Sequence, residues 1–205
     1  MKKYYLPFVL LLLLTFAGCS NEAYDIKIES PIVFSHNSVK IADGSTVFVN
    51  IEMISGQYVF DEFPGALQGS NWNGQYQIRV YTDENNFKDP LYLVPIFITD
   101  NQPMNFKNEF SLVFDDYNND NNPDFTLGQY GSSNGYDYAL FTINQVGEVE
   151  RLDTDGLMFI SKHDYSIILE KLSPTSFRKS SYDNSIGEVV ERIYQWEDSK
   201  FIPED

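Results

Sequence analysis

Apolar and polar residues along this chain follow mostly the period of two that places successive side chains on opposite faces of a strand. Thr46-Val47-Phe48-Val49-Asn50-Ile51-Glu52-Met53-Ile54 is rich in β-branched residues and alternates towards its end, and Gln75–Tyr81 alternates throughout. Near the C-terminus Val189, Glu191, Ile193 and Gln195 interleave with Val190, Arg192, Tyr194 and Trp196. Turn signals separate these runs. Asp43-Gly44, Asn144-Gln145-Val146-Gly147, Asp153-Thr154-Asp155-Gly156 and Asp183–Gly187 each carry residues that accept tight backbone geometry. The pattern predicts hairpins over 136–152 and 177–196, and a tight turn from Trp196 to Phe201 that closes the domain. Leu91–Thr99 reads as a strand at an edge or with a bulge, because Pro95 cannot donate a ladder hydrogen bond. Tyr24, Ile26 and Ile28 suggest a first strand, and Tyr58–Phe60 a short one. Phe110–Phe114 and Phe125–Leu127 are also expected as strands. Tyr165–Leu172 fits helix or strand by pattern; its β-branched centre and the nearby Pro174 favour strand. Asp61–Gly74, with Pro64, Gly65, Gly69 and Gly74, reads as a long irregular loop. The resulting fold class is all-β, with antiparallel sheets arranged as a sandwich or as a propeller-like fragment.

Residues 1–18 have a different character. Lys2 and Lys3 precede an apolar run from Leu6 to Phe16, and small Ala17 and Gly18 follow. That is the layout of a secretion signal, and the run is shorter than the roughly 20 residues of a membrane span. Loss of Lys2 and Lys3 with the signal takes the formal charge from −16 to −18, since no Asp or Glu departs with them. Such a surface repels nucleic acid and anionic headgroups and could steer a basic protein towards it. Cys19 is the sole cysteine, so no internal disulfide framework exists. A bound ion is a natural replacement staple. The expected organisation is a signal at 1–18, a short tether at 19–30 and one β-domain over 31–205.

The stretch with the most chemistry is Asp116-Tyr117-Asn118-Asn119-Asp120-Asn121-Asn122-Pro123-Asp124. Asp116, Asn118, Asp120, Asn122 and Asp124 occupy positions 1, 3, 5, 7 and 9, from which a curled chain can offer oxygen to a hard cation at roughly 2.3–2.6 Å. Position 7 is expected to give its backbone carbonyl. An EF-hand would have Gly at position 6 and Glu at position 12, where this chain has Asn121 and Leu127. The loop is therefore expected to join strands, with Asn121 tolerating a left-handed backbone.

Phe114-Asp115-Asp116 through Gln129 resembles the D-x-[DN]-x-D-G-x-x-D-[FL] loop of FG-GAP and VCBS-type repeats, which implies calcium held between two strands. Only one clear copy is present. The chain also resembles small secreted β-proteins with a single such loop, some of which inhibit lysozyme-type hydrolases. In them a Gly/Asn-rich segment and a Tyr-rich strand follow, as Gly131–Phe141 does here. This likeness covers residues 106–205. It marks Tyr130, Asn134 and Tyr136 as possible partner-binding residues. Trp72, between Asn71 and Asn73, joins them as either a stacking platform or a plug over the core. Phe16-Ala17-Gly18-Cys19 is similar to a bacterial lipobox, which implies a lipid-modified Cys19 anchoring the protein to the extracytoplasmic face of a cell membrane.

Catalytic signatures are sparse. The two histidines, His36 and His163, lack a recognisable partner in sequence, and no nucleophile elbow, His-Glu-x-x-His or phosphate-cradling glycine loop is present. One cysteine and two distant histidines disfavour zinc. The sequence thus suggests a calcium-stabilised, non-catalytic binding or structural lipoprotein. An inhibitor of a cell-wall hydrolase is the first alternative. A glycan-acting enzyme with paired carboxylates is the second.

Overall fold

The computed structural model describes residues 24–26, 31–84, 88–99 and 102–204. Within them the chain forms strands joined by turns, and no helix. The signal segment and Cys19 lie outside the described residues.

Three antiparallel sheets follow one another along the sequence. The first has six strands: β1 (Tyr24–Ile26), β2 (Ile32–Lys40), β3 (Thr46–Asp61), β4 (Gly69–Tyr81), β5 (Tyr92–Ile96) and β6 (Met104–Phe106). The second has five: β7 (Phe114–Asp115), β8 (Asp124–Ser132), β9 (Gly135–Ile143), β10 (Val149–Leu152) and β11 (Met158–Ile160). The third is a meander of β12 (Glu170–Ser173), β13 (Ser176–Asp183), β14 (Glu188–Glu197) and β15 (Lys200–Pro203).

Alternation along the middle sheet explains how three layers share two cores. Ala139, Phe141 and Ile143 of β9, with Phe125 and Leu127 of β8, join the first core with Val49, Ile51, Met53, Tyr76 and Ile78. Tyr138 and Leu140 face the other way, into a second core with Met158, Phe177, Tyr194 and Phe201. Strands buried on both faces must be apolar at odd and even positions alike, as β9 is. The arrangement is consistent with an all-β sandwich.

β3 and β4 form one long hairpin in register from Phe48 opposite Tyr81 to Asp61 opposite Gly69. A bulge between Met53 and Ser55 bends it. Gly56 and Gly74 face each other just beyond. A Cβ on Gly74 would stand 2.0 Å from the Ser55 carbonyl oxygen, and Gly56 has a φ of 148°, so neither position admits a side chain. The end of β1 pairs at this point, Ile26 opposite Gly56.

Several expectations are revised. Gly69–Gly74 is strand, so the irregular segment expected over 61–74 shrinks to residues 62–68. The short strand expected at Tyr58–Phe60 is the continuation of β3. Phe110–Val113 has no ladder; only Phe114–Asp115 pairs, although the Leu112 amide still finds a partner in Asn37 Oδ1 at 2.8 Å. Residues 165–169 are irregular, with strand beginning only at Glu170. Their polar backbone is satisfied by β8 instead: the Gly128 amide donates to the Tyr165 carbonyl, and the Thr126 hydroxyl accepts from the Ile167 amide and donates to its carbonyl, each at 2.8 Å.

Candidate metal centre

The 116–123 loop closes the hairpin in which Phe114 stands opposite Phe125 and Asp115 opposite Asp124. It joins two strands. Asn119 and Asn121 both adopt the left-handed region, at φ 61° and 65°. A short polar side chain makes that conformation accessible at both positions.

These two reversals curl the chain until its amides meet its own side chains. The Asp120 amide donates to Asp116 Oδ1 (3.2 Å) and to Asn118 Oδ1 (3.3 Å). The Asn121 amide donates to Asp116 Oδ2 at 3.0 Å, and the Asn122 amide to Asp120 Oδ1 at 2.8 Å. Asn118 Nδ2 donates to Asp120 Oδ2 at 3.0 Å. Positions 1, 3 and 5 are thereby drawn to one side of the loop.

Asp124 stands at the buried end, 0% exposed. Its Oδ2 accepts the Tyr117 amide at 2.8 Å. Its Oδ1 is buried with no hydrogen-bond partner, and so is Asn122 Oδ1. Burial pushes the Asp124 carboxyl up to about 7; the Tyr117 amide opposes this, and the charges of Asp120 and Asp116 add to it. The oxygen donors are carboxylates and side-chain amides together. Among the described residues no three His, Cys, Asp or Glu side chains form a metal-holding group by themselves.

Two residues outside the oxygen pattern fix the loop in place. Tyr117 is buried in the second core, 5.6 Å from the Phe177 ring, and its hydroxyl accepts the Leu169 amide at 2.9 Å. Its apolar bulk at an even position of a polar loop was a readable sign of an anchor. Lys171 of β12 reaches the loop from the third sheet. Its ammonium donates to Asp115 Oδ1 at 3.1 Å and to the Asp116 carbonyl, and lies 5.9 Å from the centre of the Tyr117 ring. No local signal could connect positions 55 residues apart.

The suggested partner-binding residues divide into two places. Trp72 lies within β4, half-buried, its ring 4.8 Å from Tyr58 and edge-on to Phe34 at 5.7 Å; this is the plug arrangement. Tyr130 and Tyr136 face each other across the β8–β9 hairpin with rings 6.4 Å apart, and Tyr130 is 47% exposed. Asn134 sits in the turn between them, its amide donating to Ser132 Oγ at 3.1 Å. His163 closes this end: its ring is 5.5 Å from Tyr136, and its Nε2 donates to the Ser133 carbonyl at 3.2 Å.

His36 belongs to a different cluster, unnoticed in the sequence. Its Nδ1 donates to Asn50 Oδ1 at 2.7 Å, and Asn50 in turn donates to the buried carboxylate of Glu52 at 3.1 Å. Gln77, Tyr81 and Arg79 complete the shell around Glu52. Strand period two carries Asn50, Glu52, Gln77, Arg79 and Tyr81 to one face of the sheet, which made them look solvent-facing.

Comparison with family models, with curated proteins and with solved structures finds no match to this chain.

Proposed function

We propose that this chain is an extracytoplasmic lipoprotein, held to the membrane through lipid on Cys19, whose β-domain is a non-catalytic binding or structural module braced by a calcium ion in the 116–124 loop. The observation that carries the calcium reading is the buried, unpartnered Oδ1 of Asp124 at the closed end of a loop that also gathers Asp116, Asn118 and Asp120. A buried carboxylate beside two others is costly without a cation, and oxygen-only donors suit a hard one. Asp116, Asn118, Asp120 and Asp124 would hold the ion through side chains, and Asn122 through its backbone carbonyl. Calcium there would supply positive charge that ties β7 and β8 to the anchor at Tyr117.

Only the folded chain assembles these donors, so binding adds to folding stability. At calcium about a hundredfold above the dissociation constant the gain is about 2.7 kcal/mol. For a chain of this size that is a melting shift of about 5–10 °C. The test is thermal melting in calcium and in chelator, for the parent and for Asp116→Ala with Asp120→Ala. The parent should shift and the double variant should not; equal melting of both proteins in both buffers would remove the ion.

A second reading, inhibition of a basic lysozyme-type hydrolase, is supported by the formal charge of −18 once Lys2 and Lys3 leave with the signal and by exposed Tyr130 beside the 133–134 turn. Titration against a panel of muramidases tests it. Undiminished lysis at micromolar protein would end that reading.

A further inference from the structure

The β3–β4 hairpin ends in a turn, residues 62–68, that carries large apolar side chains outward. Phe60 is 55% exposed, Phe63 60% and Leu67 49%. This cluster lies at the tip of a hairpin, not over a core. Its backbone is nonetheless fixed. The Asp61 carboxylate accepts the Phe63 amide at 2.9 Å, and Asn71 Nδ2 donates to the Leu67 and Gly69 carbonyls at 2.6 and 2.8 Å. The Lys107 ammonium bridges the Ala66 and Gln68 carbonyls at 2.8 and 3.0 Å. A turn tied at both ends presents its apolar groups without paying for order on contact.

The register of β1 says what the tip faces. Tyr24 stands opposite Tyr58 and Ile26 opposite Gly56, so β1 runs antiparallel to β3 and its N-terminal end points along the hairpin towards the turn. Five residues of chain lead back from Tyr24 to Cys19, a reach of at most about 17 Å. From Tyr58 to the start of the turn at Asp61 is three residues of strand, about 10 Å. The N-terminal end of β1 therefore points towards the apolar tip, and the length of chain back to Cys19 is enough to reach the level of the tip.

We infer that the Phe60, Phe63 and Leu67 tip dips into the membrane to which Cys19 is anchored, making a second, non-covalent contact that orients the domain on the bilayer. This rests on the lipid-anchor reading above. A lipid anchor alone leaves the domain free to tumble about its tether, so a wedge of aromatic and aliphatic surface entering about 5–10 Å into the interface adds to retention and sets the tilt of the domain. Asp61 and Glu62 beside the tip make an uncharged headgroup surface its fitting partner.

The experiment uses the lipid-modified full chain in phosphatidylcholine vesicles whose acyl chains carry bromine, which quenches nearby indole fluorescence. Phe63→Trp adds a reporter to the tip, to be compared with the parent's own Trp72 and Trp196. Val189→Trp adds one on β14 of the third sheet. Both sites are exposed, and unchanged melting confirms folding of each variant. If the protein floats with the vesicles, F63W should lose emission beyond the parent's loss and V189W should not. Flotation with no extra loss for F63W, as when the tip serves a protein partner instead, overturns tip insertion and leaves the anchor standing. Equal loss for F63W and V189W overturns the orientation. Failure to float removes the anchor reading and this inference with it.

Discussion

The Asp124 carboxylate accepts the Tyr117 amide at 2.8 Å through Oδ2, while its Oδ1 is buried with no partner. One oxygen serves the loop's own folding and the other is left over. Asp124→Asn tests this division, because the amide keeps the shape and the acceptor but removes the charge. In chelator the variant should be at least as stable as the parent, since burial and the nearby Asp120 and Asp116 disfavour ionised Asp124. In calcium it should forgo most of the parent's gain of about 2.7 kcal/mol at a hundredfold excess over the dissociation constant. Urea melts in the two buffers measure both. A variant that gains as much from calcium as the parent would show that Asp124 is no ligand.

Tyr117 carries the loop into the second core, and its hydroxyl is the partner of the buried Leu169 amide. Tyr117→Phe leaves that amide unpaired at nearly constant volume. The expected cost is about 1–3 kcal/mol of folding stability. It should appear equally in calcium and in chelator, because no ligand atom is touched. A urea midpoint equal to the parent's would mean that Leu169 finds another acceptor.

Lys171 places a positive charge on Asp115 and on the Asp116 carbonyl, beside the proposed ion. Like charges at such range in a largely aqueous setting oppose each other by about 1 kcal/mol. Lys171→Met keeps the aliphatic stem over Tyr117 and should tighten calcium binding about fivefold, the factor that about 1 kcal/mol implies. Calorimetric titration of calcium into chelator-stripped protein reads the change. Weaker binding in the variant would show that Lys171 holds the loop in its binding form.

The hairpins closed by strong turn residues were legible from composition and period: 136–152, 177–196 and 196–201 stand as β9–β10, β13–β14 and β14–β15. In the last, Asp198 and Ser199 both take positive φ, as a two-residue hairpin turn demands. β2 was not legible. Its Ser35, His36, Asn37 and Ser38 look like a polar linker, but Ser35 and Asn37 are buried and bonded to each other, and Asn37 also reaches the Val49 carbonyl and the Leu112 amide. Gly69-Ser70-Asn71-Trp72-Asn73-Gly74 has loop composition, and becomes strand because β3 pairs it on one side and β6 on the other. Tertiary pairing overrode local preference in both cases. At the loop, the curl through Asn121 was readable and the second reversal at Asn119 was not, since nothing local distinguishes one Asn from the next. Lys171 and the Glu52 cluster depend on contacts between distant strands, which no window of sequence contains.

Glu52 gives the last test, of a buried carboxylate in the first sheet. Oε1 accepts Asn50 Nδ2 (3.1 Å) and the Tyr81 hydroxyl (3.0 Å); Oε2 accepts Gln77 Nε2 (2.9 Å) and pairs with Arg79 Nε at 3.2 Å. Asn50, Gln77 and Tyr81 donate to this one acid and Arg79 pairs with it, the geometry of a structural hub. A paired-carboxylate hydrolase would use a second acid across a substrate; among the described residues the groups bonded to Glu52 are amides, a phenol and a guanidinium. Glu52→Ala should cost about 3–5 kcal/mol, because it strands buried donors and a cation made to face an anion. Removing both members of the pair, as in Glu52→Leu with Arg79→Met, should recover part of that loss, since Glu52 and Arg79 then no longer depend on each other. Chemical denaturation of the single and double variants completes the cycle. A Glu52→Ala protein of parental stability would refute the hub.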